Sequence, residues 1–506
     1  MNKIKPLDGL PLFKTELKRR LERVGVVDVG SNSVRLVVFD GAARSPAYFF
    51  NEKILCGLGA GVAETGRLNP EGRARAMQAL KRFALLAKGM NTGPLNCVAT
   101  AAVREAEDGD DFVKAVKKET GLRLKIASGK EEARLSAQGV LLGWPGADGV
   151  MCDIGGSSME LAEISNGQID TCLTSELGPQ RLAGFEGDAL DAEIRLRIKE
   201  LRRKIPGTPR RLYLVGGSWR AIARLDMERR EYPLKVLHEY MMRPSELLET
   251  VDWIGAHSID ELRAMTGASA ARMTLVPVAS RVLAGLLECF KPEEIAVSSY
   301  GIREGLLYEQ MPKRLRKRDP LIEACQHMEL ASARIPGFGG VLADFLSPVF
   351  QHQDKAQKRL VHAACLLHDV TWRAHPDYRA EVCFDNATRA NLGGLNHAGR
   401  VFLGYALLNR YKNSSVESTF DPVMELLTPE ERRDAEILGR AMRFGAMLSG
   451  ALPEMMGQLT VDREARKIEL ALPAEAAELY GEVVRTRYES LARSMEFEPL
   501  IRLEEA

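Results

Sequence analysis

Neither sign of charge dominates this chain: 70 Lys and Arg stand against 69 Asp and Glu over 506 residues, a formal net charge of +1. A protein that holds nucleic acid by bulk basicity carries a clear excess of cations, so that class is excluded. Cysteine is sparse and unpatterned. Cys56, Cys97, Cys152, Cys172, Cys289, Cys325, Cys365 and Cys383 form no Cys-x-x-Cys pair and no metal-ligand spacing. They read as reduced core thiols of an intracellular protein. Uninterrupted apolar runs of about 18 residues are missing, which predicts no membrane-spanning helix. The first 23 residues lack the apolar stretch of a secretory signal. The expectation is therefore a cytoplasmic chain without a membrane partner. With 45% hydrophobic and 27% charged residues the composition is globular, and the length allows about three domains at roughly 150 residues each.

What is present alternates between strand and helix signals. Residues 24–40 hold two β-branched runs around Gly30-Ser31-Asn32-Ser33, a hairpin by composition and punctuation. Asn69-Pro70-Glu71 supplies an N-cap, a proline at the first helical position and a first-turn acid, predicting a helix to about Lys88. A strand is predicted at 96–99, a helix from 110 to 120 stopped by Gly121, and a strand at 122–127. Ser128-Gly129-Lys130-Glu131 has the spacing of a capping box, so a helix starts there with Glu132 in its first turn. This alternation indicates an α/β protein.

A second strand-turn-strand begins at Val150. Asp153 matches Asp28, Gly155 matches Gly30, Ser158 matches Ser33 and Leu161 matches Leu36, at a constant offset of 125 residues. The pattern implies an internal duplication. Further strands are predicted at 211–215, ending in Gly216-Gly217-Ser218, and at 295–298, before Gly301-Ile302-Arg303-Glu304-Gly305.

Phosphoryl chemistry needs donors for phosphate oxygens, a carboxylate that can hold Mg²⁺, and a group that positions or deprotonates the nucleophile. Each Asp-x-Gly turn offers the first two. Gly30, Ser31, Asn32 and Ser33, and Gly155, Gly156, Ser157 and Ser158, bring backbone N–H groups and hydroxyls to an anion, while Asp28 and Asp153 add carboxylates. A single such turn is common in hairpins. Two at matching register, facing across a cleft, would clamp one phosphate chain from both sides. The copies differ in charge where Arg35 corresponds to Glu160, and an acid there suits water activation or metal positioning.

The blocks 27–33, 99–105 (Ala-Thr-Ala-Ala-Val-Arg-Glu), 128–135, 153–161 and 300–305 occur in the order seen in the exopolyphosphatase and guanosine pentaphosphate phosphohydrolase family, which this chain resembles over about residues 24–310. The resemblance implies a duplicated two-lobed α/β fold of the actin, sugar kinase and heat-shock ATPase type, with a C-terminal all-helical, HD-like domain. The expected limits are 1–135 and 136–311 for the lobes and 319–506 for the helical domain. It also implies Mg²⁺-dependent removal of the terminal phosphate of inorganic polyphosphate, guanosine pentaphosphate or both, by a homodimer. Carried over by position, Glu132 is the expected base on the attacking water and Glu160 its helper. Asp28 and Asp153 are the expected metal-associated aspartates, and Arg104 the expected contact of the terminal phosphate. The second turn departs from the family's three glycines and Ser-Thr, having Ser157 and Met159, and an altered substrate preference is expected from that.

From 321 to about 450 apolar residues recur at helical spacing, and 458–472 alternates as a hairpin would. His368-Asp369, with His397 beyond, resembles the pattern of HD phosphohydrolases, although His362 and His375 do not complete a metal site. The basic runs at 202–211 and 313–318 are solvated faces or grooves for a polyanion. Two rival functions fit the same turns. One is an ATP-dependent small-molecule kinase, for which Gly216-Gly217-Ser218 and Trp219 would serve the nucleotide. The other is a sensor that binds polyphosphate or nucleotide without cleaving it.

Overall fold

The computed structural model describes residues 23–40, 44, 46–412, 420–449 and 452–504. The chain divides into two compact units that meet in sequence at Pro320 and Leu321.

In the first unit the strands β1 (Val24–Val29), β2 (Ser33–Phe39), β3 (Tyr48–Leu55), β4 (Asn96–Ala99) and β5 (Leu124–Ile126) form one sheet in the order β3-β2-β1-β4-β5. A second sheet holds β6 (Gly149–Ile154), β7 (Met159–Ser165), β8 (Gln168–Ser175), β9 (Arg211–Val215), β10 (Met241–Met242) and β11 (Glu294–Val297), in the order β10-β11-β9-β6-β7-β8. Apart from the edge strand β10, the second sheet repeats the first strand for strand. In each, two antiparallel pairings are followed by two parallel ones. The duplication read from the 125-residue offset is thus a duplication of sheet topology.

Local signals set most element ends. The Pro70–Gly89 helix starts where the Asn69 side chain accepts from the Gly72 N–H at 2.7 Å. The Gly109–Thr120 helix stops at Gly121, whose φ of +75° suits glycine. Ser128 and Glu131 close the expected capping box on the Gly129–Gly143 helix. The strands β3, β8 and β10 were not anticipated. In β3 and β8 charged and polar residues break up the apolar pattern, so β propensity alone is weak there, and β10 is only two residues long.

The lobes are not consecutive halves of the sequence. The expected break at 135 falls inside the Gly129–Gly143 helix, which packs on β7 and β8. The Ile302–Gln310 helix follows the second sheet in sequence yet packs on β1, burying Leu307 with Val26, Val37 and Phe39. These two helices also pack on each other.

One stretch bears on the expectation of no membrane-spanning helix. Residues 270–290 are long and apolar enough, by length and composition, to cross a membrane. The stretch is two helices, Ala270–Met273 and Val276–Phe290. Val276, Val282, Leu283, Leu286, Leu287 and Phe290 are buried in the core of the second lobe, so hydrophobic burial within the protein accounts for the composition.

The second unit is mainly helical from 320 to 449, as the periodicity predicts. The predicted hairpin is present as β12 (Gln458–Asp462) and β13 (Lys467–Pro473). A third strand, β14 (Glu498–Glu504), pairs parallel to β13, so the expected all-helical domain carries a small sheet.

Candidate functional site

Both turns that follow an Asp-bearing strand are built alike. The Gly30 N–H donates to the Ser33 carbonyl at 3.0 Å, and Gly155 to Ser158 at 2.9 Å. Asp28 faces Arg35 across its hairpin and Asp153 faces Glu160 at the same register. Each turn is also held from behind. Cys56 and Gly57 donate to the Asn32 carbonyl and Gly59 to that of Ser31, while Gly178 and Gln180 donate to Ser157 and Gly156. A planar trans peptide directs its N–H opposite to its C=O. The N–H groups of Asn32, Ser33, Ser157 and Ser158 therefore point away from the supporting loops, as donors for an anion.

Gly178 has no room for a side chain: a Cβ would collide with the backbone of Gly156, Ser157 and Ser158. Gly178→Ala is expected to displace the second turn. Weakened phosphate affinity and about 1–3 kcal/mol lost in a urea melt are the checks.

Both turns line one cavity of about 360 Å³, with Asp28, Asp153 and Glu132 on its wall. Among the described residues the same wall carries four cations that sequence reasoning had not placed there: Lys53 from β3, Arg220, Arg272 and Arg303. Arg303 was legible only as part of the 300–305 block. Lys53 and Arg272 sit in no local motif, so only the tertiary structure brings them in.

Of these cations, against the effect of burial, Glu304 and Asp28 hold Arg303 above its ordinary range, whereas Lys53 and Arg220 are poorly compensated. Burial and the neighbouring Arg272, Arg35 and Arg303 push the Lys53 ammonium below its ordinary range. Burial and Arg303 lower Arg220 to about 10. The acids move the other way. Burial raises Asp28 and Asp153, although Arg303 stands 3.5 Å from Asp28 and the Ser136 hydroxyl donates to Asp153 at 2.5 Å. Burial, with repulsion from Asp153 and Asp28, lifts Glu132 to about 7 even though Arg104 opposes the rise. Such a site gains from an anion between its cations and a cation beside its acids.

Glu160 is placed differently from Glu132. It is buried beneath the second turn and does not line the cavity. Ser158 and Thr174 bind its carboxyl, and burial, with repulsion from Glu132, raises it well above the usual range. Arg104 also stands off the cavity wall. Its Nη1 donates to Glu132 Oε2 at 2.9 Å and to the Ala127 carbonyl at 2.8 Å, so it is held on the acid that lines the cavity. Met159 is fully buried in the core of the second lobe, so its missing hydroxyl is no loss to the cavity, whereas Ser157 lines it. Trp219 is likewise buried in that core and offers no ring to a nucleotide.

Three residues of the basic runs serve the fold. Arg202 donates to the carbonyls of Cys289, Ile205 and Gly207, Arg211 pairs with Glu294, and Arg316 caps Glu309 and Met311. In the second unit Asp369, the expected HD aspartate, is held by Arg334 through contacts of 2.6 to 3.1 Å. His368 is kept neutral by burial and Arg410, which lower it to about 4. Among the described residues no three His, Cys, Asp or Glu side chains converge on a metal position. Arg334 thus neutralises Asp369 as an ion pair. Arg334→Ala is expected to cost about 1–2 kcal/mol, moderated by the exposure of Arg334, in thermal unfolding.

Two Asp-x-Gly turns on duplicated sheets, lining one cationic cavity with an acid on its wall, define an α/β protein of the actin and sugar-kinase fold type whose cavity suits an anion. The comparisons with known proteins agree. Residues 37–314 match the Ppx/GppA phosphatase family and residues 321–496 the exopolyphosphatase C-terminal family. This chain belongs to the Ppx/GppA family. It is 26% identical over 341 residues to Exopolyphosphatase 1 of Mycobacterium tuberculosis, covering 64% of this chain and 96% of that protein. It is 25% identical over 469 residues to Retrograde regulation protein 2 of Saccharomyces cerevisiae, covering 82% and 77%. Among solved structures, an exopolyphosphatase from Cytophaga hutchinsonii superposes with a TM-score of 0.53 at 25% identity, over 57% of this chain and 98% of that one. A Ppx/GppA member from Aquifex aeolicus gives 0.52 at 22%, over 59% and 99%, and shares the fold.

Proposed function

We propose that this protein is an exo-acting phosphohydrolase that removes the terminal phosphate of inorganic polyphosphate, with guanosine pentaphosphate open to the same chemistry. The observation that supports this reading most directly is the pairing of two phosphate turns with crowded, under-neutralised cations and with Glu132 on the wall of one cavity. The donors of the turns hold the terminal phosphate, and the cations hold the chain behind it. Glu132 accepts a proton from water as its oxygen bonds to the terminal phosphorus, and the bridging P–O bond breaks with its electron pair on the shortened chain. Arg104 acts through Glu132, fixing the carboxylate and lowering its proton affinity. Glu160, whose proton affinity burial and Glu132 raise, binds Ser158 and Thr174 beneath the second turn and so holds that turn in place.

Membership of a phosphatase family suggests a divalent cation. Asp28 and Asp153 suit one: both line the cavity, burial raises both, Asp28 adds its repulsion at Asp153, and a site with only two protein carboxylates is typical of Mg²⁺, which completes its shell with water and phosphate oxygens. When bound there, Mg²⁺ supplies charge neutralisation at the phosphate oxygens.

The kinase rival predicts phosphate transfer from ATP dependent on an acceptor, and the sensor predicts binding without release. Phosphate release from polyphosphate, guanosine pentaphosphate and ATP, measured side by side, separates the three. The pH profile is a second check. Glu132 must be ionised to take a proton, so kcat/KM is expected to rise with pH and level off above about 7. In Arg104→Leu the rise is expected at higher pH, because the lost guanidinium had been lowering that acid. An unshifted limb in that variant assigns the profile to another group.

A further inference from the structure

We propose that Arg272 makes the side-chain-free floor at Gly216 and Gly217 a seat for phosphate rather than for a nucleoside, and that with Lys53 of the opposite lobe it selects a bare phosphate chain. The inference rests on the phosphohydrolase reading above and adds a substrate preference to it.

At the end of β9 the backbone turns sharply, with φ of +113° at Gly216, where a Cβ would stand 2.6 Å from the Ile154 carbonyl. Gly217 follows, also without a side chain. Together they leave a flat surface beside Asp153 of the kind on which a ribose or base could lie. Arg272, on the short Ala270–Met273 helix, covers it: its Nε and Nη2 lie 3.4 and 3.5 Å from the place of a Gly217 Cβ. No aromatic ring lines the cavity among the described residues.

Lys53 reaches the same cavity from the first lobe, on β3, where it is the cross-strand neighbour of Arg35. Among the charges around Lys53, Arg272 is the one that lowers its proton affinity most, which fits two cations facing each other across the cleft. Every interior unit of a polyphosphate chain carries one negative charge on two non-bridging oxygens. It can therefore accept from a cation on each side. A nucleoside in that place brings neutral ribose and leaves both cations facing each other unneutralised, a cost that counts against binding. Arginine serves here because its planar fork is always charged and binds phosphate oxygens in pairs.

The test compares wild type, Arg272→Ala, Arg272→Lys, Lys53→Ala and the double Ala variant in phosphate release from long-chain polyphosphate and guanosine pentaphosphate. Arg272→Ala is expected to raise KM for polyphosphate roughly tenfold, with a smaller change for guanosine pentaphosphate. Arg272→Lys restores part of the loss. The slope of log KM against log salt for polyphosphate falls by about one per cation removed, and the double variant loses less than the sum of the singles because each relieves the other's repulsion. An equal loss on both substrates, or a larger one for guanosine pentaphosphate, overturns the proposal, the latter meaning that Arg272 stacks on the base. If wild type releases phosphate from neither substrate, the hydrolase reading fails. Calorimetric Kd values for the two ligands then carry the comparison, with the same expected and overturning ratios.

Discussion

Glu132→Gln is expected to reduce phosphate release from polyphosphate by about 10²- to 10⁴-fold, the range for loss of a positioned general base, while leaving substrate binding in place. Glutamine keeps the shape and a hydrogen-bond acceptor for Arg104 but cannot take a proton. KM should therefore move far less than kcat. The same substitution has a stability signature of opposite sign. Glu132 titrates near 7 in the folded protein because it is buried beside Asp153 and Asp28, whereas an exposed glutamate titrates near 4.3. Folding therefore takes up a proton between these values, and the stability linked to Glu132 is present below the unfolded pKa and lost as pH rises through about 7. Glutamine carries no such penalty. At pH 8 the variant should be more stable than wild type by about 1–3 kcal/mol, from roughly 1.4 kcal/mol per pKa unit less the lost charge pairing with Arg104. At pH 4 the gap should close. A variant that loses activity but gains no stability at pH 8 would show that Glu132 is ionised and well compensated in the free enzyme. Kinetics at pH 8 and urea titrations at both pH values decide it.

The second large effect concerns the crossing of the Gly129–Gly143 and Ile302–Gln310 helices. Gly305 lies against the Leu135 carbonyl and Gly139 against that of Gly301, each so closely that a methyl group would collide with backbone. Backbone cannot swing aside as a side chain can. Gly305→Ala is therefore expected to cost about 3 kcal/mol or more, after the modest helical gain of alanine, because the two helices must separate. Gly340 has open space around it and serves as the control, with a change within about 1 kcal/mol. The catalytic cost should accompany the structural one. Arg303 and Glu304 precede Gly305 on the same turn, Glu304 binds the Gly301 N–H at 2.8 Å, and the Tyr48 hydroxyl donates to Glu304 at 2.6 Å. Separating the helices moves Arg303 off Asp28. Urea denaturation and kcat/KM on polyphosphate should fall together in Gly305→Ala and be unaffected in Gly340→Ala.

Much of this was legible in the chain itself, for physical reasons that are local. Asn69, Ser128 and Gly121 mark helix ends because caps and left-handed stops act within a few residues. The two Asp-x-Gly turns could be aligned because a hairpin turn demands glycine and small polar residues at fixed positions, whichever lobe it serves. Duplication preserved that demand. Glu132 came to notice through its block and through its place on a first helical turn, and the structure puts it on the cavity wall. The sequence thereby determined the fold class, the duplication, the two Asp-x-Gly turns and the acids beside them.

What only the tertiary structure decided is how charges meet across long sequence distances. Lys53, Arg220, Arg272 and Arg303 come from four separate segments, and no periodicity links them. Arg104 bonds to Glu132 from 28 residues away, a pairing that no local motif shows. Glu160 differs from Glu132 in exposure to the cavity, a matter of which way a strand faces. Arg334 pairs with Asp369 from 35 residues away. Local geometry follows from neighbours in sequence, whereas burial and Coulomb interactions depend on distance in space, and those set the proton affinities on which the proposed chemistry depends.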